Sequence, residues 1–307
     1  AGVDPVAYVT EKLKSGDVKF AVEDPDAPEN WPRVLTIWRA NLLGSSSKGN
    51  EYFLKHLLGT SNAVRADETD VRPQSVEWHE EGPAGKLDLL ISIDFRMTST
   101  GLFGDVLLPA ATWYEKHDLN STDMHPYVHA FTPAIDPPWE TKSDYDIFGD
   151  LGRKVSELAH GHLETFEDLM CIPLYHDTPD EMAVPGGVVK DWRKGEIDLI
   201  PGVTAPKLIV CERDYTAVGA KMTALGPLLE TLGTVTKGVA VKTAPEMELL
   251  RKLNGVIPEG PAAGQPAIVT AAQACEAILT LSGTTNGRVA VEGFRGVEER
   301  TGQQLAD

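Results

Sequence analysis

Apolar residues along the chain come as short runs broken by polar, Gly- and Pro-rich stretches, and each run predicts an element. Val6, Val9 and Leu13 recur at helical spacing from Pro5 to Lys14, and Gly16 stops that helix. After an acidic, proline-rich lead-in from Glu23 to Pro32, Arg33 to Trp38 forms the first buried strand. It runs through Ile37-Trp38-Arg39-Ala40-Asn41-Leu42-Leu43 into Gly44-Ser45-Ser46-Ser47-Lys48-Gly49, and then a helix carrying Phe53, Leu54, Leu57 and Leu58 is predicted, ended by Gly59. Thr60 to Gly85 reads as a long polar loop around Trp78. Leu87 to Ile93 is a second strand with Asp94-Phe95-Arg96 at its C-terminal end, and Asp105 to Pro109 a third, closed by its proline. From Ala111 to Glu140 no apolar period survives, so an ordered, aromatic-rich loop is expected. Ser143-Asp144-Tyr145-Asp146 looks like a helix cap, followed by the stripe Ile147, Leu151, Val155 and Leu158 up to His160-Gly161. An irregular excursion from Leu163 to Ile200 precedes a fourth strand, Lys207 to Cys211. Helices are then predicted at Val218–Leu232, Glu246–Leu253, Ile268–Leu281 and Val291–Glu299. The pattern predicts an α/β fold: an open, mostly parallel, Rossmann-like sheet flanked by helices, with a long irregular insertion and a helical C-terminal part. The expected boundaries are 1–160 and 161–307, with the excursion over 161–206.

Composition narrows the class. The 307 residues can bury a substantial core, and 42% hydrophobic with 24% charged content is that of a folded globular chain. A formal charge of −18 argues against nucleic-acid and anionic-membrane surfaces. No apolar run approaches the roughly 18 residues of a spanning helix, and the N-terminus lacks the basic-then-apolar order of a signal peptide. Cys171, Cys211 and Cys275 are scattered without a C-x-x-C pair and read as free buried thiols.

Three clusters carry candidate chemistry. In the Gly/Ser turn, Gly44 and Gly49 would let the backbone approach a ligand, while hydroxyls and a helix N-terminus would offer donors to a phosphate. The turn has P-loop glycine spacing, but Asn50-Glu51 stands where Lys and Ser/Thr are needed, so it is either another kind of phosphate cradle or plain connection. Asp94, at a strand end, either binds a ribose hydroxyl or caps a turn. The run Thr112-Trp113-Tyr114-Glu115-Lys116-His117-Asp118 suits a purine-like ring, with carboxylates for its N–H edge, an aromatic face for stacking and a lysine for phosphate. The same residue types also make a well-packed polar surface loop. His117, His125 and His129 are either metal ligands or ordinary loop histidines, with Pro126 opposing a helix there. Trp31 and Trp38 flank a strand and read as core.

The clusters, in their order, resemble a known family. Trp38 to Gly49, Glu51 to His56, Leu108 to His125, Val189 to Trp192, Glu212 to Tyr215 and Thr285 to Gly287 are similar to the catalytic (alpha) subunit of membrane-bound respiratory nitrate reductase, a molybdopterin oxidoreductase. The resemblance implies an interior portion of a longer subunit in anaerobic nitrate respiration. That subunit would reduce nitrate to nitrite at molybdenum held by two molybdopterin guanine dinucleotides. Residues 1–160 would then form a guanine dinucleotide-binding lobe. Asn41, Ser45, Ser46 and Ser47 would meet the cofactor's phosphates or ribose, Asp94, Thr112, Trp113, Lys116 and Asp118 would lie around its nucleotide end, and Trp38, Lys48 and Phe95 would also belong to the cofactor site. The family's four-iron cluster ligands and its molybdenum-ligating aspartate motif have no counterpart here, so the chain alone is expected to be inactive. Implied partners are the rest of the alpha subunit, an iron–sulfur beta subunit and a haem b membrane gamma subunit, at the cytoplasmic face of the cell membrane. The reading kept beside it is a non-catalytic module that binds a nucleotide or the pterin cofactor.

Overall fold

Three parallel strands, β1 (Val34–Trp38), β2 (Leu89–Asp94) and β3 (Val106–Pro109), form a sheet in the order β1-β2-β3 in the computed structural model, which describes residues 2–45, 49–59, 85–163, 165–172, 190 and 192–305. β1 is in register with β2 from Val34↔Leu89 to Trp38↔Ile93, and β2 with β3 from Ile91↔Val106 to Asp94↔Pro109. Trp38, Asp94 and Pro109 therefore share the C-terminal edge. Alternate side chains of the sheet serve different cores. Ile37 and Leu90 pack on Phe53, while Ile93 packs with Ala110 and Ile147. A sheet covered on both faces needs apolar residues at successive positions, which is why these strands are mostly apolar, with only Thr36, Ser92 and Asp94 polar.

Phe53 sits on the segment after the Gly/Ser turn, which is a short π-helix, Tyr52–Leu57, rather than the α-helix expected. Leu58 N–H donates to Phe53 O at 3.0 Å, five residues back. The other face is covered by α2 (Asp144–Ala159). As the sequence predicts, Ser143 caps α2, its Oγ accepting from Asp146 N–H at 3.1 Å. Of the apolar stripe, Ile147 is buried, while Val155 and Leu158 are 44% and 60% exposed. The same helix packs closely on α3 (Val218–Met222), where a Cβ on Gly152 would meet Met222 Sδ.

The sheet and α2 belong to a unit formed by residues 32–160 and 216–307. Its other elements are β4 (Asp118–Thr122), β5 (His125–Phe131), α4 (Leu228–Thr231), β8 (Thr234–Thr236), β9 (Val239–Val241), α5 (Ala244–Asn254), α6 (Ala271–Leu281) and α7 (Gly287–Thr301). The loop expected at 111–140 is thus largely an antiparallel hairpin, β4–β5. Most of its residues are exposed on both faces, so no apolar alternation marks it. The single helix expected at Val218–Leu232 is two short ones, separated by a stretch that bridges Ala224 to Ala267 and contains Gly226-Pro227. In the C-terminal part Met247, Leu250 and Val289 are fully buried. Glu246 accepts from Arg288 Nε at 2.7 Å, and Asn286 caps α7 by accepting from Arg288 N–H at 3.0 Å. Burial raises the Glu246 pKa, but its bonds with Arg288 outweigh this and hold it below the ordinary value.

Residues 1–31 and 161–215 form the second unit. In it α1 (Pro5–Ser15) places Leu13 against Leu199 and Ala205, and β6 (Thr165–Ile172) pairs antiparallel with β7 (Lys207–Asp214). The excursion expected from Leu163 therefore begins as a strand, and the predicted fourth strand lies outside the parallel sheet. The expected loop around Trp78 lies outside the described residues. All three cysteines are free, as the sequence predicts, yet none is buried: Cys171 is exposed and Cys211 and Cys275 are half-buried. Among the described residues no helix is long and apolar enough to cross a membrane.

Candidate functional site

The C-terminal edge of the parallel sheet gathers the chemistry-bearing residues. Beyond β1, the chain reverses at Arg39, whose φ of 53° is left-handed, a conformation costly for a residue with a Cβ. Contacts on both sides hold it there. Its N–H donates to Ile93 O at 2.9 Å. Next along the chain, Asn41 Oδ1 accepts from Gly44 N–H, Ser99 Oγ and Thr100 Oγ1, each at 2.9 Å. Gly44 has no alternative, because a Cβ there would lie 2.1 Å from Asn41 Nδ2. The Asn41 amide nitrogen itself has no hydrogen-bond partner among the described residues. Ser45 Oγ donates back to Asn41 O at 2.7 Å. Ser46, Ser47 and Lys48 lie outside the described residues; the helical winding starts at Asn50, with Phe53 N–H donating to Gly49 O at 2.9 Å, and runs on into the π-helix.

At the end of β2, Asp94 accepts from Arg96 N–H at 3.0 Å, closing a tight turn that sets Phe95 on the edge. Arg39 and Arg96 both lie over the Phe95 ring, at 5.1 and 4.8 Å from its centroid, and Arg39 also approaches Trp113 at 5.9 Å. Phe95 and Trp113 have centroids 5.7 Å apart. Neither guanidinium is within salt-bridge distance of a carboxylate among the described residues. In a chain of net charge −18, two guanidiniums without a salt bridge among the described residues form a local anion-attracting spot at one edge. Asp94, Phe95, Arg96 and Pro109 also line a hollow of about 290 Å³ beside them.

Thr112 N–H donates to Glu115 Oε2 at 2.8 Å, turning the chain so that Trp113 stays 45% exposed while Lys116 enters the interior. Lys116 Nζ bonds Asp118 Oδ2 at 2.9 Å and also Asp144 Oδ2. Burial opposes the Lys116 charge, but the bonds with Asp144 and Asp118 prevail and raise its pKa above the ordinary lysine value. Burial likewise opposes the Asp144 carboxylate, yet hydrogen bonds from Lys116 and Trp38, with the charges of Lys116 and Arg39, hold it below its ordinary value. This ammonium is occupied by two carboxylates, unlike the phosphate-reaching lysine that the residue types suggested.

Trp38, read from sequence as core, is 55% exposed, and its indole N–H donates to Asp144 Oδ1 at 2.7 Å. Its ring packs edge-on to Phe148 at 5.2 Å. Trp38, Arg39, Lys116, Asp118, Asp144 and Tyr145 border a cavity of about 350 Å³. His125 and His129 lie on β5 with ring centroids 5.2 Å apart. Among the described residues no three or more His, Cys, Asp or Glu side chains are grouped for a metal ion.

Arg39, Arg96 and Asp144 were not singled out by sequence. The arginines matter because neither is within salt-bridge distance of a carboxylate among the described residues, and Asp144 because it meets residues 106 and 28 positions away.

A family model described as molybdopterin oxidoreductase matches residues 28–154, which contain the sheet and the whole candidate site. A second, described as nitrate reductase alpha chain, domain V, matches residues 232–307. The chain is 57% identical to the nitrate reductase alpha subunit of Mycobacterium tuberculosis over 309 aligned residues, covering 100% of this chain and 25% of that protein. It is 52% identical to the nitrate reductase alpha chain of Bacillus subtilis, covering 99% and 25% of the two. It is 49% identical to the respiratory nitrate reductase 1 alpha chain of Escherichia coli, covering 99% and 24%. The chain belongs to the molybdopterin oxidoreductase family. Within it, the similarity runs to the nitrate reductase alpha subunits, of whose length the chain spans about a quarter.

Proposed function

We propose that these residues serve as one side of a molybdopterin guanine dinucleotide site in the alpha subunit of a nitrate reductase. The observation that carries this reading is the pair of guanidiniums, Arg39 and Arg96, on the Phe95 ring, neither within salt-bridge distance of a carboxylate among the described residues, at the C-terminal edge of a parallel sheet, where open α/β folds take nucleotides. The donor set fits such a group. Two cations suit a pyrophosphate, the half-exposed Trp38 and Trp113 offer ring faces, and Asp94 and Asp118 suit ribose hydroxyls or a purine N–H edge. The Asn41 amide nitrogen, without a hydrogen-bond partner among the described residues and in the space that Gly44 leaves, supplies a further donor. Ser45, Phe95 and Thr112 border the same edge, Lys116 braces it from beneath, and Ser46, Ser47 and Lys48 complete the turn on the family resemblance.

When bound, the molybdenum cofactor supplies the redox chemistry by which nitrate loses an oxygen atom to give nitrite. The residues of this chain bind and orient its nucleotide end, and none is assigned a proton or electron transfer. The four-iron cluster of such a subunit would be ligated outside these residues. The working enzyme would pair the alpha subunit with an iron–sulfur beta subunit and a haem b membrane gamma subunit, facing the cytoplasm.

The test is cofactor content in the complete alpha subunit. Arg39→Ala and Asp94→Ala should each lower bound molybdenum and acid-released guanine nucleotide about tenfold or more, since a hydrogen bond to a charged group is worth roughly 1.5–3 kcal/mol. Wild-type content in both variants would refute the site.

A further inference from the structure

We propose that Asp144 is a positioning residue for this edge, acting through the Trp38 indole rather than through its own charge. The inference rests on the cofactor-site reading above. Asp144 opens α2, and its two carboxylate oxygens hold different parts of the edge. Oδ1 accepts from Trp38 Nε1 at 2.7 Å, and Oδ2 takes the Lys116 ammonium. The first bond ties α2 to the last residue of β1, directly before the left-handed Arg39. A half-exposed indole has freedom to swing, and Arg39 has strain to release if it does. With Trp38 bonded to Asp144 and packed on Phe148, the turn is fixed on its upstream side as Asn41 fixes it downstream. The Arg39 guanidinium is thereby kept over Phe95 and Trp113. The second bond serves stability: a buried ammonium needs its carboxylates wherever the turn points.

The two roles separate by substitution in the complete subunit, reading the melting temperature of cofactor-free protein and the guanine nucleotide bound per loaded subunit. D144N keeps an oxygen for the indole but loses the charge. It should melt lower yet retain nucleotide near the wild-type level. Trp38→Phe removes the indole N–H and leaves every charge in place. It should melt near wild type yet bind about tenfold less nucleotide, the scale on which residues supporting a site act. Asp144→Leu should lose both. Trp38→Phe combined with Asp144→Leu should bind no less than Trp38→Phe alone, because both changes break one contact. Multiplied losses, to about a hundredfold, would mean independent contributions and overturn the proposal. Occupancy that simply follows melting temperature across the set would overturn it too. If Trp38→Phe and Asp144→Leu bind normally while Arg39→Ala does not, Asp144 positions nothing and the site stands. If Arg39→Ala also binds normally, the site itself is wrong and the inference falls with it.

Discussion

Replacing Lys116 with methionine should destabilise the unit that contains the parallel sheet by about 3–5 kcal/mol, the usual cost of removing one member of a buried charge cluster. The side chain is 3% exposed and that of Asp144 is 11% exposed, so Asp144 would be left without its counter-charge in a poorly solvated place, while Asp118, 39% exposed, is partly compensated by water. An exposed pair makes the contrast. Lys142 and Asp150 approach to 2.6 Å, but with side chains 56% and 35% exposed, Lys142→Met should cost under about 1 kcal/mol. Urea unfolding of the two variants checks the difference. The penalty should also depend on pH. Asp144 is depressed below its ordinary 3.8, so its contribution is full above that value and is lost as pH falls through the depressed one. Lys116 is raised above its ordinary 10.5, so its contribution is full below that value and is lost as pH rises through the raised one. The gap between wild type and Lys116→Met should hold steady between those limits and narrow on acidification. A gap that widens in acid would contradict the cluster.

Ile93→Ala should cost about 4 kcal/mol, within the range for emptying a fully buried aliphatic site. Ile93 lies on the central strand with no exposed surface and packs with Ala110 and Ile147, so the cavity would open between the sheet and α2. Two small or rigid neighbours leave little to collapse into it. Val34→Ala, on the edge strand and 57% exposed, should stay within about 0.5 kcal/mol. Because Ile93 O also accepts the Arg39 N–H, the Ile93 variant should loosen the site turn. Denaturant midpoints give the energies, and amide exchange at Arg39 gives the loosening.

Much of the fold was legible because burial on two faces writes itself into sequence. Val34 to Trp38, Leu89 to Asp94 and Val106 to Pro109 are mostly apolar, and all three pair in parallel as the α/β reading requires. The Ser143 cap was legible because its chemistry is local, within three residues. The β4–β5 hairpin was not, since strands wet on both faces carry no alternation. Nor was the winding of Tyr52–Leu57, where Phe53, Leu54, Leu57 and Leu58 fit a helical face whether it closes four or five residues back. The candidate site divides the same way. Asp94 and the 112–118 cluster could be found because they follow strand ends. The role of Lys116 could not, because one of its carboxylates comes from 28 residues further on. Likewise nothing in the sequence shows that Arg39 and Arg96 have no carboxylate within salt-bridge distance among the described residues, in a chain with 46 acidic residues.

The most direct measurement is an experimental density map of the complete alpha subunit with its cofactor bound. The account predicts a guanine dinucleotide against the C-terminal edge of β1, β2 and β3, its phosphates within hydrogen-bond reach of Arg39 or Arg96 and its nucleoside beside Asp94, Trp113 or Asp118. A cofactor whose nucleotides touch none of these residues would contradict it.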